Sequence, residues 1–484
     1  MHAFNSQSME ETLRRARIAQ LSWADKPLKE RLIPISRLRS RLASEGGKLA
    51  DVVAREIGKT RFEAIGAEVL PTAEACAFLM NRAPALLAPR RETFRGTMPL
   101  TGSAVVRHLP WGVVALLVPW NYPLFLCAGS ALNALAAGNA VVMKPSPRAK
   151  ETVAAFAEWL YQAGIPPELA PVLDSSDDAG RALVASPLIN RIVFTGSSKT
   201  GRSVLMAAAQ NLVPATIELS GFDAVYVLRD ANIKLAADAV TFGLRLNAGR
   251  TCICPRRVFV EENVAPEFIT LLSQKLTNRK LLAPMDKQTL KEADELAAKL
   301  NAIPGVSVLN ARQSGDAEKA VAVSGGPDAL AAAQGNFVPA VIVSKVRDAD
   351  EALRLDAASP YALGASIFTA SSQIAIALSA RMRPGMIAVN ECLTPAAEAA
   401  LPFGGAGESG YGVRSGVEGL MEMTRPQTLA FARGTFRPHH LAGSEAEGFI
   451  QALLRARHSG SFFGRLKGWI DFGVEGIKWR PPAE

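Results

Sequence analysis

Residues 111–143, WGVVALLVPWNYPLFLCAGSALNALAAGNAVVM, are apolar for long enough to cross a bilayer, and what interrupts them decides what the chain can become. Pro119, Asn121, Pro123, Asn133, Gly138 and Asn139 fall where a spanning helix carries leucine-like residues. The stretch therefore reads as a strand over 112–118, a polar turn over 119–123, a helix over 124–138 and a second strand over 140–146. Strands this continuously hydrophobic belong in a parallel sheet covered on both faces.

The alternation continues with helix 151–164, strand 170–174, a short helix 179–186, strand 189–196, helix 200–210 and strand 214–221. Repeated βα units predict an α/β fold with a doubly wound parallel sheet, whose ligands sit at the carboxyl ends of the strands. Trp120 and Asn121, Lys144, and Gly196 with Ser197 all fall at such ends, so they are expected to converge on one crevice. The turn FTGSSKTGR, 194–202, leads from strand to helix, and its Gly196, Ser197 and Gly201 leave backbone N–H groups open to a phosphate. It matches neither G-x-G-x-x-G nor the P-loop pattern, and alone it reads as a tight turn. Within a βα repeat it favours a dinucleotide site. From residue 222 the pattern restarts with strand 225–231, helix 236–249, strand 256–262 and helix 265–276, giving a second α/β lobe. A chain of 484 residues is expected to hold two or three lobes, at roughly 150 residues per domain. The Ala- and Lys-rich stretch 285–335 shows no chemistry.

A formal charge of +9 raises nucleic acid or an anionic membrane as partners. The middle of the chain has no Lys/Arg block with interleaved aromatics, so nucleic-acid binding is not expected. Residues 1–20 lack an apolar run after their charges, which argues against a signal peptide and for a cytoplasmic location. The five cysteines, Cys76, Cys127, Cys252, Cys254 and Cys392, are odd in number and mostly far apart, as free thiols in a reducing compartment would be.

Within NAGRTCICPRR, 247–257, Cys252 is a candidate nucleophile, and such a thiol needs a base or a depressed pKa. The histidines are His2, His108, His439, His440 and His458, leaving none from 109 to 438, so a carboxylate is the expected partner. Glu218 in IELSG stands where the first sheet hands over to the second lobe; the plain alternative is a helix cap or a surface ion pair. Cys252 and Cys254 could supply only two metal ligands, with no further Cys or His nearby, and no metal is expected.

VPWNYP (118–123), VVMKPSP (141–147), VFTGSSKTGR (193–202), IELSG (217–221), NAGRTCICPRRVFV (247–260), YALGASIFT (361–369), GMIAVN (385–390) and LPFGGAGESGYGVRSGVEGLMEMT (401–424) together resemble the aldehyde dehydrogenase superfamily, in its order and over about residues 10–434. The resemblance implies a Rossmann-like cofactor lobe (1–91 and 111–221), an α/β catalytic lobe (222–423) and a small β extension (92–110 and 424–434) that pairs subunits into a homodimer or homotetramer. It implies NAD(P)-dependent oxidation of an aldehyde to a carboxylic acid. In that scheme Cys252 attacks the aldehyde carbon, Asn121 and the Cys252 N–H hold the oxyanion, and Glu218 activates the water that hydrolyses the thioester. Lys144 reaches the ribose of NAD or NADP; Trp120, Ser146, Gly196, Ser197, Gly201 and Leu219 complete the cofactor site, and Cys254 is a bystander lining the active site.

Four departures bear on that scheme. Arg250 stands where the family most often has glutamine, and it either favours the Cys252 thiolate or points away. Pro147 and Arg148 follow KPS where NAD-preferring members often carry a glutamate, so NADP becomes acceptable beside NAD. The family's E-x-F-G-P segment, whose glutamate grips the nicotinamide ribose, is absent between GNFVPAVIVSKV and RDADEALRLDAASPYALGASIFT. Finally, a tail over 435–484 places Phe462, Phe463, Leu466, Trp469, Ile470, Val474 and Ile477 at helical spacing with Arg465 and Lys467 beside them. Such a basic amphipathic helix either lies on the inner face of a membrane, which suits a long-chain or lipid-derived aldehyde, or packs on protein. Two rivals remain: a CoA-acylating dehydrogenase, which Glu218 weighs against, and a silent membrane-associated binding protein, which the intact Cys252, Glu218 and Asn121 weigh against.

Overall fold

The computed structural model describes residues 6–93, 102–432 and 444–478. Parts of the expected β extension and tail, 94–101, 433–443 and 479–484, lie outside them. The chain forms two compact units, one from residues up to 87 with 109–425, the other from 88–108 with the residues from 426 onward.

The larger unit is α/β, with two large sheets and a two-stranded ribbon of Tyr361–Ala362 and Ala406–Gly407. The first has the order Gly410–Tyr411, Ala215–Glu218, Arg191–Thr195, Val113–Val118, Ala140–Pro145, parallel except for the short Gly410–Tyr411 strand. The second runs Met386–Val389, Gly364–Phe368, Asp223–Val227, Pro255–Glu261, Ala340–Val346, Val321–Ser324, Ser307–Val308, with only the last antiparallel. As the hydrophobic run required, every residue of Ala140–Pro145 is buried. Helix Pro123–Ala137 fills the layer above, with Leu124, Leu132 and Leu135 fully enclosed, each contributing about 1.5–3 kcal/mol. Its end is set by Gly138, whose φ of 96° a side chain would resist.

Register converts this alternation into a site. Leu117 pairs with Lys144 and Thr195 with Glu218, so Lys144 and Glu218 emerge at the same edge, just below the turn that carries Trp120 and Asn121. The expected strand 170–174 shrinks to one bridge between Val172 and Met143. Pro171 has no N–H to extend a ladder, and Asp174 turns the chain by accepting the Ser176 N–H, after which Ser176 caps helix Asp177–Ala185.

The N-terminal helices Ser6–Ala24, Leu28–Ile57 and Leu70–Leu86 join the same core. Between the last two, a single π-helical turn, Ile65–Val69, places Glu68 in the interior. Its carboxylate accepts the Leu124 and Phe125 N–H groups at 2.9 Å each and pairs with buried Lys59. A buried anion at a helix N-terminus satisfies donors that would otherwise be orphaned, and it fixes the turn that leads into that helix.

In the smaller unit, Arg90–Thr93, Gly102–Pro110 and Thr424–Ala432 form a three-stranded sheet, and Ser444–His458 and Phe462–Lys478 form a helical hairpin. Gly468 lets the two helices approach closely, since a Cβ there would lie 2.1 Å from the Ala456 backbone nitrogen. The hairpin closes through Phe449, Ala452, Leu453 and Ala456, all buried, with the Phe449 and Phe472 rings 4.4 Å apart. The face expected from sequence is left outward: Phe462, Phe463, Leu466, Trp469, Ile470, Val474 and Ile477 are all exposed, Phe463 at 79% and Ile477 at 77%.

Candidate active site

The residues anticipated for a cofactor gather at the carboxyl edge of the first sheet. Ser197 caps helix Ser198–Gln210, its hydroxyl accepting the Thr200 N–H, so this helix begins two residues earlier than its sequence pattern suggested and leaves its N-terminus beside Gly196. Gly201 lies against Leu219, where a Cβ would come within 2.6 Å of the leucine side chain; any larger residue would push the helix off the sheet. Ser146 accepts the Arg148 N–H. Lys144 is buried, and its ammonium makes no hydrogen bond among the described residues. Burial pulls its pKa down, opposed by Asp177 and Asp174. A buried cationic donor awaiting an acceptor, on the same sheet edge as an open helix N-terminus, fits the ribose and phosphates of a dinucleotide.

Trp120 is half-buried, with the Arg148 guanidinium stacked 3.6 Å from its ring centroid and that of Arg250 at 5.4 Å. Both guanidinium groups reach Asp286, at 2.6 and 2.9 Å. Partial burial pushes the Asp286 carboxyl up, but the Thr289 N–H, Arg148 and Arg250 outweigh it and hold its pKa at about 2. Phe337 meets Trp120 edge-on, with centroids 6.3 Å apart. The segment after Gly335, from which E-x-F-G-P is missing, thus still reaches this corner of the site.

The loop carrying Cys252 departs from the expected helix 236–249. The helix stops at Arg245, and Asn247, Ala248 and Gly249 then take left-handed φ values of 50°, 49° and 68°. Such backbone costs about 1–3 kcal/mol per non-glycine residue and persists only when neighbours enforce it. Here the Asn247 N–H donates to Glu63 and its side-chain amide to the Asn121 and Arg250 carbonyls. Pro339 crowds Gly249 so closely that a Cβ there would lie 2.4 Å from the Pro339 Cα. The structure decides the alternative left open for Arg250. Its guanidinium, 1% exposed, donates to Asn247 and Asp286 and faces away from the thiol, clamping the loop.

Of the five cysteines only Cys252 is not fully buried. Cys254, expected to line the site, instead lies in the second core with its thiol donating to the Gly243 carbonyl, because a turn closed by the Cys254 N–H on the Thr251 carbonyl separates it from Cys252 before the strand begins at Pro255. The Cys252 thiol donates to Glu218 Oε1 at 3.6 Å. Glu218 Oε2 in turn meets Arg414 Nε at 3.0 Å. Burial first, then the Glu218 carboxylate, raises the Cys252 pKa well above the usual thiol range, and Arg414 opposes them. Asn121 is buried and donates one amide hydrogen to the Arg250 carbonyl at 3.1 Å, which brings its side chain beside the thiol loop. The Cys252 N–H has no acceptor among the described residues. Tyr122 fixes the loop from the other side, its hydroxyl 2.6 Å from Thr251 Oγ1.

A small cleft of about 20 Å³ shares Arg414 with this constellation; Ala75, Phe78, Phe125 and Ala399 give it apolar walls, Asn133, Glu398 and Ser415 polar ones, and neither Cys252 nor Glu218 is in its lining. Arg414, Asp286, Phe337 and the Lys59–Glu68 pair escaped sequence reasoning. Arg414 lies inside the LPFGGAGESGYGVRSGVEGLMEMT motif and Phe337 inside GNFVPAVIVSKV, but no local signal links position 414 to position 218.

A family model described as the aldehyde dehydrogenase family matches residues 1–429. A protein provisionally named succinate-semialdehyde dehydrogenase (NADP+) from Mycolicibacterium smegmatis is 31% identical over 87% of this chain and 83% of its own length. Among solved structures, a provisionally assigned aldehyde dehydrogenase from Burkholderia cenocepacia is 28% identical, with a TM-score of 0.83 over 89% of this chain and 92% of its own. An NADP-dependent glyceraldehyde-3-phosphate dehydrogenase from Bacillus halodurans C-125, solved with NADP, is 27% identical, with a TM-score of 0.82 over 88% of this chain and 92% of its own.

Proposed function

The chain belongs to the aldehyde dehydrogenase family, and on that premise we propose that it oxidises an apolar aldehyde to the carboxylic acid with NAD or NADP, using Cys252 as nucleophile and Glu218 as hydrolytic base. The observation that carries this reading is the one solvent-reachable thiol lying 3.6 Å from a buried carboxylate. The Cys252 sulfur bonds to the aldehyde carbon and loses its proton. The oxyanion that develops is held by the remaining Asn121 amide hydrogen and the uncommitted Cys252 N–H. A bound nicotinamide cofactor supplies the two-electron acceptor that turns the Cys252 adduct into a thioester. Glu218 then takes a proton from the water that releases the acid, which favours hydrolysis over transfer to CoA.

Lys144 would hold the ribose, Ser197 and the N–H groups behind it the phosphates, and Trp120 with Phe337 the flank of the site. Pro147 stands where a glutamate would repel a 2′-phosphate, so NADP is accepted as well as NAD; the relatives' names point the same way.

The substrate reading rests on the cleft. Phe78, Phe125, Ala75 and Ala399 are the apolar part of its lining beside Asn133, Glu398 and Ser415, and Arg414, the cation there, is already paired with Glu218. We expect kcat/KM, followed through reduced-cofactor absorbance, to rise from butanal to decanal by up to about fourfold per buried methylene. Faster turnover of succinic semialdehyde than of decanal would replace this reading with the activity named for the mycobacterial relative.

The tail supplies the second part of the proposal, peripheral attachment to an anionic membrane. No helix among the described residues is long and apolar enough to cross one. Between 448 and 470 the hairpin carries Arg455, Arg457, Arg465 and Lys467 and no Asp or Glu, alongside exposed Leu454, Phe462, Phe463 and Ile470. Apolar insertion with basic flanks suits a phospholipid headgroup layer. Deleting 444–484 should lower co-sedimentation with phosphatidylserine-containing vesicles at least about tenfold and leave turnover of soluble aldehydes intact. Unchanged sedimentation together with a loss of oligomers would instead place this face between subunits. The edge strand Thr424–Ala432 suits the pairing of a homodimer or homotetramer.

A further inference from the structure

Arg414 is the cation of the active site that no step above uses. It sits in the loop before helix Gly416–Met421, its N–H donating to the Phe403 carbonyl and its carbonyl accepting from Asn133. Those two contacts leave its side chain one direction, inward. The guanidinium passes Phe125 and Phe403, at 4.8 and 5.0 Å from their ring centroids, and ends on Glu218, with both partners only 4% exposed. Glu218 thus has one oxygen on the Cys252 thiol and the other in an ion pair with Arg414, whose Nε lies 3.0 Å away without a hydrogen bond, while the Thr195 hydroxyl donates to the same oxygen at 3.4 Å.

We propose that Arg414 is the positioning residue of this active site, holding Glu218 against Cys252 and supplying the fixed positive charge that the Cys252 thiolate needs. When the thiol releases its proton to water, sulfur and carboxylate would otherwise leave two negative charges in a largely dry pocket. Coulomb attraction in such a pocket is strong, and an opposite charge within about 4–6 Å moves a titration by about 1–3 pH units.

The other groups that face the thiol do not substitute for this charge. Asp223, on the strand after Glu218, is a further acid. Tyr122 offers a neutral hydroxyl already engaged by Thr251. Arg250, though only two residues away, points its charge to Asp286. Burial and the Glu218 carboxylate raise the thiol pKa, and Arg414 is the group that lowers it.

The inference rests on the assignment of Cys252 and Glu218 made above, but its test needs no turnover. Iodoacetamide alkylation of the full chain, followed by intact mass and peptide mapping to Cys252, reads the thiolate fraction against pH; the other four cysteines are buried. Arg414→Gln should move the alkylation midpoint up by at least about one pH unit. Arg414→Lys, which keeps the charge, should restore most of the parent profile. An unmoved midpoint in R414Q with a uniformly slower rate, or a shift in R414K as large as in R414Q, would overturn the proposal. If R414Q does not fold, R414K alone still decides, because a displaced midpoint there counts against it. A shifted midpoint in a protein that oxidises no aldehyde leaves this inference standing and removes the functional reading; normal oxidation with unmoved midpoints does the reverse.

Discussion

Cys252→Ala leaves aldehyde oxidation at least about 10⁴-fold below the parent enzyme, with cofactor binding unchanged, because no other thiol can take over. Cys254 is two residues away but faces the helix Ile233–Arg245, and Cys76, Cys127 and Cys392 are enclosed in the cores. The substitution removes one half-buried sulfur from a loop held by Asn247, Arg250 and Tyr122, none of which it touches, so melting should shift little. The measurement is reduced-cofactor absorbance with decanal and either NAD or NADP. Activity within tenfold of the parent would place the nucleophile elsewhere and return weight to a silent, membrane-associated protein.

Glu218→Gln separates the two halves of the reaction. The amide that replaces the carboxylate cannot accept a proton from water, so turnover should fall by about 10²–10⁴-fold. Attack by sulfur and oxidation of the adduct proceed, so one acyl group should accumulate on Cys252 and register by intact mass after a single burst. The same change leaves the Arg414 guanidinium buried without its anion, and breaking a buried pair in this way costs about 3–5 kcal/mol. A lowered melting temperature is therefore expected alongside the trapped thioester and does not count against the role. Full turnover does, and so does a dead enzyme that carries no acyl group.

Much of this molecule can be read along the chain because a βα repeat is a local pattern. The buried strands Val113–Val118, Ala140–Pro145, Arg191–Thr195 and Ala215–Glu218 announce themselves by continuous apolar runs, and their carboxyl ends name Asn121, Lys144, Gly196 and Glu218. The strand expected at 170–174 failed because periodicity does not register a lone proline at a sheet edge or an aspartate that closes a turn. The helix expected through residue 249 failed for a related reason: three consecutive left-handed residues are tolerated only when Glu63, Asn121 and Pro339 press on them, and none of those is a sequence neighbour.

The amino-acid sequence by itself determined the α/β alternation, the thiol and carboxylate at the lobe junction, the helix that begins after Gly196 and the amphipathic tail. Each depends on spacing within a few residues, where backbone geometry alone fixes which side chains share a face. The tertiary structure alone decided that Arg250 turns from the thiol while Arg414 turns toward it, that Arg148 stacks on Trp120, and that Glu68 caps the helix behind Asn121. Those choices join residues that mostly lie far apart along the chain. A buried charge must find its partner wherever packing brings one, and that place is set by the fold as a whole.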